Sequence, residues 1–317
     1  MVEGSTEVEN AMQQVIPNLF ISSSVPAYDQ KALEANKITH ILCLGPANCP
    51  FPELFSYKKI DIEDVPESNI LEHLEDTYVF IESAIKAEGT VLVHCMAGIS
   101  RSATVVIAYL MKSQKLTLEE AYDTVRAARS VICPNPGFYQ QLRVYEELGY
   151  MVSKENPVYR RFLIENRWRV SDIASIPMGP DPEKLRAANA LAGRRLTPNT
   201  QRIYKCKKCR RALVTTENII PHTPGQGQSS FSHHKRDPAH SLSSSQLCTS
   251  FFVEPMDWFG NIGSDGEGSV VAGRIDCPKC GAKLGAFNWS GDQCSCGSWV
   301  VPAFAIHRNR VDEGVLR

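Results

Sequence analysis

Residues 91–102 read Val-Leu-Val-His-Cys-Met-Ala-Gly-Ile-Ser-Arg-Ser, and this segment restricts the fold more tightly than any other. An apolar run of strand character ends at Cys95. Five residues separate Cys95 from Arg101, and a helical pattern begins there. A loop that closes onto a helix N-terminus aims several backbone N–H groups at one point, where the helix dipole favours an anion. Gly98 permits the tight backbone path. Arg101 can grip two phosphate oxygens in a fork. The same positive surroundings favour Cys95 as a thiolate nucleophile. Ser102 can hydrogen-bond that thiolate and stabilise it again as it leaves a phosphocysteine. The predicted phosphate-binding residues are Met96, Ala97, Gly98, Ile99, Ser100 and Arg101. A lone cysteine at a strand end is more often a buried structural thiol. His94 before it, the spacing to Arg101, Gly98 and Ser102 together argue against that.

Around this segment the first half reads as alternating strands and helices. Residues 15–21 suggest a strand pair about Pro17-Asn18. Residues 38–44, 57–62 and 90–93 are apolar runs of buried-strand type. Helical spacing occupies 28–36, with Asp29 near its start. It also occupies 70–86, which place Leu74, Ile81 and Ile85 on one face. Three further helices are predicted at about 102–113, 118–129 and 136–148, the middle one opened by a Thr117–Glu120 capping box. Strands separated by helices predict an α/β sheet with helices on its faces.

The chemistry also needs an acid to protonate the departing oxygen. Asp61, Glu63 and Asp64 lie in one acidic stretch. Asp64 is followed closely by Pro66, a loop marker, and Asp61 is its main rival.

His94-Cys95-Met96-Ala97-Gly98-Ile99-Ser100-Arg101-Ser102 resembles the phosphate loop of the protein tyrosine phosphatase superfamily. The continuation through Ala103-Thr104-Val105-Val106-Ile107 resembles its dual-specificity branch. The resemblance covers about residues 12–150. Ile16-Pro17-Asn18-Leu19-Phe20-Ile21 resembles the family's opening, and Pro134-Asn135-Pro136-Gly137-Phe138 its stretch after the loop. It implies a mixed sheet flanked by helices, no metal in catalysis, and phosphoprotein substrates. It also implies an acid about thirty residues before the cysteine, which prefers Asp64, 31 residues before Cys95, to Asp61. It further implies a bracing role for Asn135 beside the loop, with His94 as a supporting residue. A compact domain of this kind implies a shallow pocket open to phosphotyrosine and to phosphoserine and phosphothreonine. Met96 and Ile99 stand where lipid phosphatases of the superfamily often carry lysines.

The chain holds eleven cysteines, seven of them between residues 206 and 296. Residues 1–10 are polar and acidic, without the apolar core of a secretory signal. A cytosolic and nuclear location is expected, and thiols stay reduced there. No apolar run is long enough to span a bilayer. Cys206-Lys-Lys-Cys209 and Cys277-Pro-Lys-Cys280 are two CxxC turns, each able to supply two zinc ligands at the right separation. Cys294-Ser-Cys296 and Cys248 complete a set for two structural zinc ions. The preferred pairing puts Cys206, Cys209, Cys277 and Cys280 in one site. His234, Cys248, Cys294 and Cys296 form the other, with His233 and His307 as further candidates. The predicted organisation is a phosphatase domain over 12–150, a helical linker over 151–203, and a smaller, mainly β zinc-binding domain over 204–312.

Residues 1–150 carry a formal charge of −9 and residues 151–317 one of +8, within a whole-chain charge of −1. A basic half favours polyanions such as RNA. Tyr204-Lys-Cys-Lys-Lys-Cys-Arg-Arg-Ala-Leu213, Cys248-Thr-Ser-Phe-Phe-Val-Glu-Pro255 and residues 277–312 resemble the zinc domain of YVH-type dual-specificity phosphatases. This resemblance implies association with the pre-60S ribosomal particle, or its rRNA, through the zinc half. Lys205, Lys207, Lys208, Arg210 and Arg211 suit such a partner. Two alternatives stand beside the enzyme: an assembly factor whose phosphatase is auxiliary, and a phosphopeptide binder without turnover.

Overall fold

The computed structural model describes residues 11–46, 48–166, 202–223, 248–259 and 271–315. It divides into two compact units, Met1–Tyr159 and Arg160–Arg317.

The first unit is built on a five-stranded sheet. Its strands are β1 (Gln13–Ile16), β2 (Leu19–Ser22), β3 (His40–Leu44), β4 (Ser56–Ile60) and β5 (Val91–His94), in the order β1-β2-β5-β3-β4. Only β1 runs antiparallel to its neighbour, through the Pro17-Asn18 turn, where Asn18 takes a left-handed φ of 64°. The other three pairings are parallel. Parallel strands need crossovers, and these carry α1 (Ser24–Ala27), α2 (Gln30–Ala35) and α3 (Leu74–Lys86). After β5, the last strand of this sheet, come α4 (Arg101–Gln114), α5 (Leu118–Ala128), α6 (Pro136–Glu147) and α7 (Pro157–Glu165). Phe20, Ile41 and Leu92 are in register across β2, β3 and β5 and bury with Ala27, Leu33 and Ile38. Every residue of α4 from Arg101 to Met111 is buried. Covering both faces explains why β2, β3 and β5 read as unbroken apolar runs.

Local signals start the helices where expected. Asp29 Oδ1 accepts from the backbone N–H groups of Lys31 and Ala32. Thr117 and Glu120 form the capping box. The stretch from residue 70 departs from expectation: it opens as a 3-10 turn, Leu71–His73, and becomes α-helix only at Leu74. The buried Gln141 side chain accepts from Leu71 N–H at 3.0 Å and donates to Ser68 O at 2.8 Å, which fixes that entry.

The second unit is mainly β. Three-stranded β14-β6-β7, four-stranded β8-β13-β10-β9 and the ribbon β11-β12 are all antiparallel. Their ranges are β6 Arg202–Cys206, β7 Ala212–Thr215, β8 Ser250–Phe252, β9 Ala272–Asp276, β10 Lys283–Asn288, β11 Asp292–Gln293, β12 Trp299–Val300, β13 Ala303–His307 and β14 Val311–Val315. Phe304 centres the core: Phe287 and Phe259 stack on it at 5.7 Å, and Trp289 meets it edge-on at 4.7 Å. Trp258 donates to Leu213 O and packs on Phe259, while Trp299 remains exposed.

The predicted linker over 151–203 divides differently. Helix α7 forms inside it, and the boundary between units falls at Tyr159–Arg160, before residue 204. The reason is burial: Arg160 and Ile164 belong to the second unit's interior. Arg160 Nε lies 2.9 Å from Glu254 Oε2, with both side chains almost fully buried. Residues 167–201 lie outside the described residues.

Candidate active site and metal centres

Strand β5 delivers Cys95 into the interior, where it is 2% exposed. Its Sγ receives the Gly98 N–H at 3.2 Å and lies 3.2 Å from Ser102 Oγ. The loop holds this shape because its carbonyls have partners elsewhere. Met96 O accepts from Ser24 N at 3.1 Å, and Ile99 O from Cys133 N at 2.9 Å. Arg129, whose side chain is fully buried, donates from Nε to Gly98 O at 2.8 Å and from Nη2 to Ala97 O at 3.0 Å. Its Nη1 donates to Gln13 Oε1 at 2.6 Å. With its carbonyl edge anchored outward, the loop turns its N–H edge toward Sγ. Gly98 sits at φ 68°, and a Cβ there would stand 2.5 Å from the Ser22 carbonyl, so only glycine fits without distortion.

Arg101 is buried at the start of α4. Its Nη1 donates to Ile62 O at 3.1 Å. Its Nε is buried without a hydrogen bond, 3.4 Å from Asp64 Oδ2. Asp64 Oδ1 accepts from Ser100 Oγ at 2.6 Å and from Asn135 Nδ2 at 2.9 Å. Asn135 also donates its backbone N–H to Ser100 Oγ at 3.0 Å and caps α6 by accepting from Phe138 N–H. One asparagine thus joins acid loop, phosphate loop and helix. Gly137 lets α6 approach this closely, since a Cβ there would stand 2.0 Å from Pro66 O. Asp64 is thus the carboxylate held at the loop, while Asp61 follows directly on β4.

Ser24, Tyr28, Leu44, Pro46 and Met96 frame a pocket of about 160 Å3 over Cys95 and Arg101. Burial pushes the His94 imidazole down to about 4, so it is neutral near pH 7. Burial pushes the Cys43 thiol up to about 11, which keeps it protonated and no rival to Cys95.

In the second unit two clusters assemble. Cys206, Cys209, Cys277 and Cys280 bring their four sulfurs within 4.8 Å of one another. Cys206 and Cys280 are 3.8 Å apart and Cys209 and Cys277 3.5 Å. A tetrahedral zinc site with bonds of about 2.3 Å has sulfur–sulfur edges of about 3.8 Å, so donor set and spacing fit. The two CxxC turns share one geometry. The residue four after each first cysteine is left-handed (Arg210 at φ 64°, Gly281 at φ 65°) and donates back to that cysteine's carbonyl. The second cluster is His222, Cys248, Cys294 and Cys296, with His222 Nε2 3.4 Å from Cys248 Sγ. Burial, reinforced by neighbouring thiols, pushes Cys248 and Cys277 up to about 12, while a backbone hydrogen bond from Arg211 draws Cys209 down to about 7.

His222, which the sequence alone does not single out, is the histidine that the structure brings to these three cysteines; the predicted His234, and His233, lie outside the described residues. Pairing of Ile219 with Val253, and of Ile220 N–H with Phe252 O, lays this segment beside β8. That brings the His222 ring 5.3 Å from Phe252, next to Cys248. His307 instead bonds Ser250 Oγ through Nδ1 at 3.0 Å.

Residues 19–148 match the family model of the dual specificity phosphatase catalytic domain. The chain is 36% identical over 309 residues to dual specificity protein phosphatase 12 of Mus musculus, which covers 95% of this chain and 88% of that one. It is 35% identical over 308 residues to tyrosine-protein phosphatase yvh1 of Schizosaccharomyces pombe (96% and 85% covered). It is 28% identical over 353 residues to tyrosine-protein phosphatase YVH1 of Saccharomyces cerevisiae (100% and 95% covered). The chain belongs to the dual-specificity protein phosphatase family.

This dual-specificity phosphatase is thus a protein phosphatase, acting on phosphoproteins, with a mainly β second unit that carries two cysteine-rich clusters able to hold metal ions. Among the described residues, no helix is long and apolar enough to cross a membrane. Two residues of the phosphatase escaped the sequence. Arg129 looked like one of several helix-end cations. His222 had a faint signal, the apolar Ile219-Ile220 pair extending the β7 region toward it.

Proposed function

We propose that the chain hydrolyses phosphotyrosine and phosphoserine or phosphothreonine through a phosphocysteine, and that its second unit acts in maturation of the 60S ribosomal subunit. The observation that carries the catalytic half is one loop that sets Cys95 Sγ against the Gly98 N–H and the Ser102 hydroxyl, and whose Ser100 and Arg101 hold the Asp64 carboxyl beside it. Substrate phosphate enters with its oxygens on the loop N–H groups and Arg101. The Cys95 thiolate attacks phosphorus, the ester P–O bond breaks, and Asp64 passes its proton to the departing oxygen. Asp64 then takes a proton from water, whose oxygen attacks phosphorus. The S–P bond breaks, and the Ser102 hydroxyl stabilises the returning thiolate. Phosphate leaves. Ser100 and Asn135 hold Asp64 in place for both transfers. The pocket over Cys95 and Arg101 is small, about 160 Å3, which suits phosphorylated side chains of either kind.

Two zinc ions, each held by four protein ligands, would be structural, organising turns rather than substrate. The ribosomal role rests on the YVH-type pattern of the zinc half and on its charge of +8. A nuclear and cytoplasmic distribution accompanies it. The alternative, favoured by that same charge, is an assembly factor whose phosphatase is auxiliary. Cells lacking the protein decide between them through growth and 60S subunit levels, with wild type, Cys95→Ser and a deletion of residues 200–317 returned in turn. Loss of rescue by Cys95→Ser, folded and zinc-loaded, is the expected result if catalysis is the main task. Full rescue by Cys95→Ser with failure of the deletion assigns the main task to the zinc half.

A further inference from the structure

A concavity of about 270 Å3 opens beside the first cysteine cluster, lined among others by Lys207, Lys208, Lys283, Asn309 and Arg310. The metal-site architecture gathers these side chains. Lys207 and Lys208 lie between the two ligands of the first CxxC turn, and Lys283 opens β10 just after the second. Val311 pairs with Cys206, and Lys207 N–H donates to Arg310 O at 3.0 Å, which sets Arg310 beside them. All five polar side chains are exposed.

Three other cations of the domain are neutralised: Arg202 pairs with Glu313, Arg210 with Asp312 and Arg274 with Asp276. Among the described residues, Lys207, Lys208, Lys283 and Arg310 form no ion pair. Lys205 and Lys279 form no ion pair either, but they do not line the concavity. Part of their charge offsets the cluster, since four thiolates with one divalent ion sum to about −2. About two positive charges are left over, facing a concave, solvent-open space.

The ligand follows from the chemistry of these groups. Three are lysines, mobile point charges. The pocket has no buried donor and no fixed clamp of the kind that selects a single phosphate group. Several cations along one open concavity suit a run of phosphates, and the Asn309 amide can meet a sugar hydroxyl. We propose that this pocket seats the phosphodiester backbone of RNA. The inference rests on the ribosomal reading above and narrows it: of the basic residues in the zinc half, Lys207, Lys208, Lys283 and Arg310 carry the contact, and the paired arginines do not.

The test uses the full, zinc-loaded chain and a fluorescein-labelled single-stranded RNA of about 20 nucleotides. Anisotropy is followed from roughly 50 to 200 mM salt. Lys283→Gln with Arg310→Gln should weaken binding about tenfold and flatten the salt slope by about 1.4, the value for two lost phosphate contacts on a single strand. Arg202→Gln with Arg274→Gln makes the same change in net charge and should bind as wild type does. Zinc content and hydrolysis of para-nitrophenyl phosphate verify folding, and Lys207→Gln with Lys208→Gln repeats the comparison if the first pair loses zinc. Equal losses from both pairs, no loss from the pocket pair, or no binding by wild type overturns the proposal. So does displacement of the RNA by a phosphoserine peptide at equal phosphate concentration. Co-sedimentation with pre-60S particles separates the two levels. If wild type and pocket variants sediment alike with the particle, the pocket fails and the ribosomal reading stands. If wild type does not sediment with it, the ribosomal reading fails by itself.

Discussion

Arg129 makes no contact with the reacting atoms, yet three of its nitrogens are committed to shaping them. Two hold the Ala97 and Gly98 carbonyls, and the third ties the loop to Gln13 on β1. Removing it leaves the buried Gly98 carbonyl unpaired, at about 1–3 kcal/mol, and takes the partner from the Ala97 carbonyl as well. It also frees the loop edge that aims N–H groups at phosphate, and a misplacement of about 1 Å can cost 10²-fold in rate. Arg129→Met should therefore lower kcat by roughly 10²-fold, with KM for para-nitrophenyl phosphate changing less and vanadate binding weakened in parallel. Arg129→Lys, which can reach one carbonyl, should recover part of kcat. If Arg129→Met loses stability while kcat of the folded fraction is unchanged, Arg129 is structural only. Cys95, Arg101 and Ser102 were legible because their chemistry is encoded by local spacing. Arg129 was not, since its partners lie about thirty residues away in sequence and only the packing of α5 against β1 brings it to the loop.

At the scale of the element, the metal sites follow one rule: a short turn presents two sulfurs, and a distant turn completes the set. The CxxC turns are legible because ligands, spacing and hydrogen-bond pattern all lie within six residues. The lone ligands are not. Cys248 and His222 reach Cys294 and Cys296 only because β8 pairs with β13 and the segment at Ile219 pairs with β8. Histidines at 222, 233, 234 and 307 are indistinguishable until that pairing is known. His222→Ala should reduce bound zinc from two equivalents to one, while His234→Ala keeps both, as measured by elemental analysis of purified protein. The opposite result would return the fourth ligand to His234. Elements of the first unit were easier to read, because helix caps and apolar runs are local: Asp29, Thr117 and Asn135 each cap the helix that the pattern placed after them.

The whole molecule divides at a place that composition obscures. From residue 151 the chain turns basic and polar, which reads as linker, yet α7 contributes Arg160 and Ile164 to the interior of the second unit. Burial pushes the Glu254 carboxyl up, and the Arg160 guanidinium draws it back toward the charged form. A buried charge that keeps its partner is tolerable, but one that loses it costs about 3–5 kcal/mol. A fragment beginning at residue 202, the start of β6, lacks Arg160 and strands Glu254. A fragment beginning at residue 152 retains it. In denaturant titrations with zinc present, the longer fragment should be more stable by about 3 kcal/mol or more. Glu254→Gln should recover part of the difference in the short fragment and destabilise the long one, because only the former holds an unpaired charge. Equal stability of the two fragments would mean that α7 belongs to the linker, as its composition suggests, and that the zinc-bearing unit begins at β6.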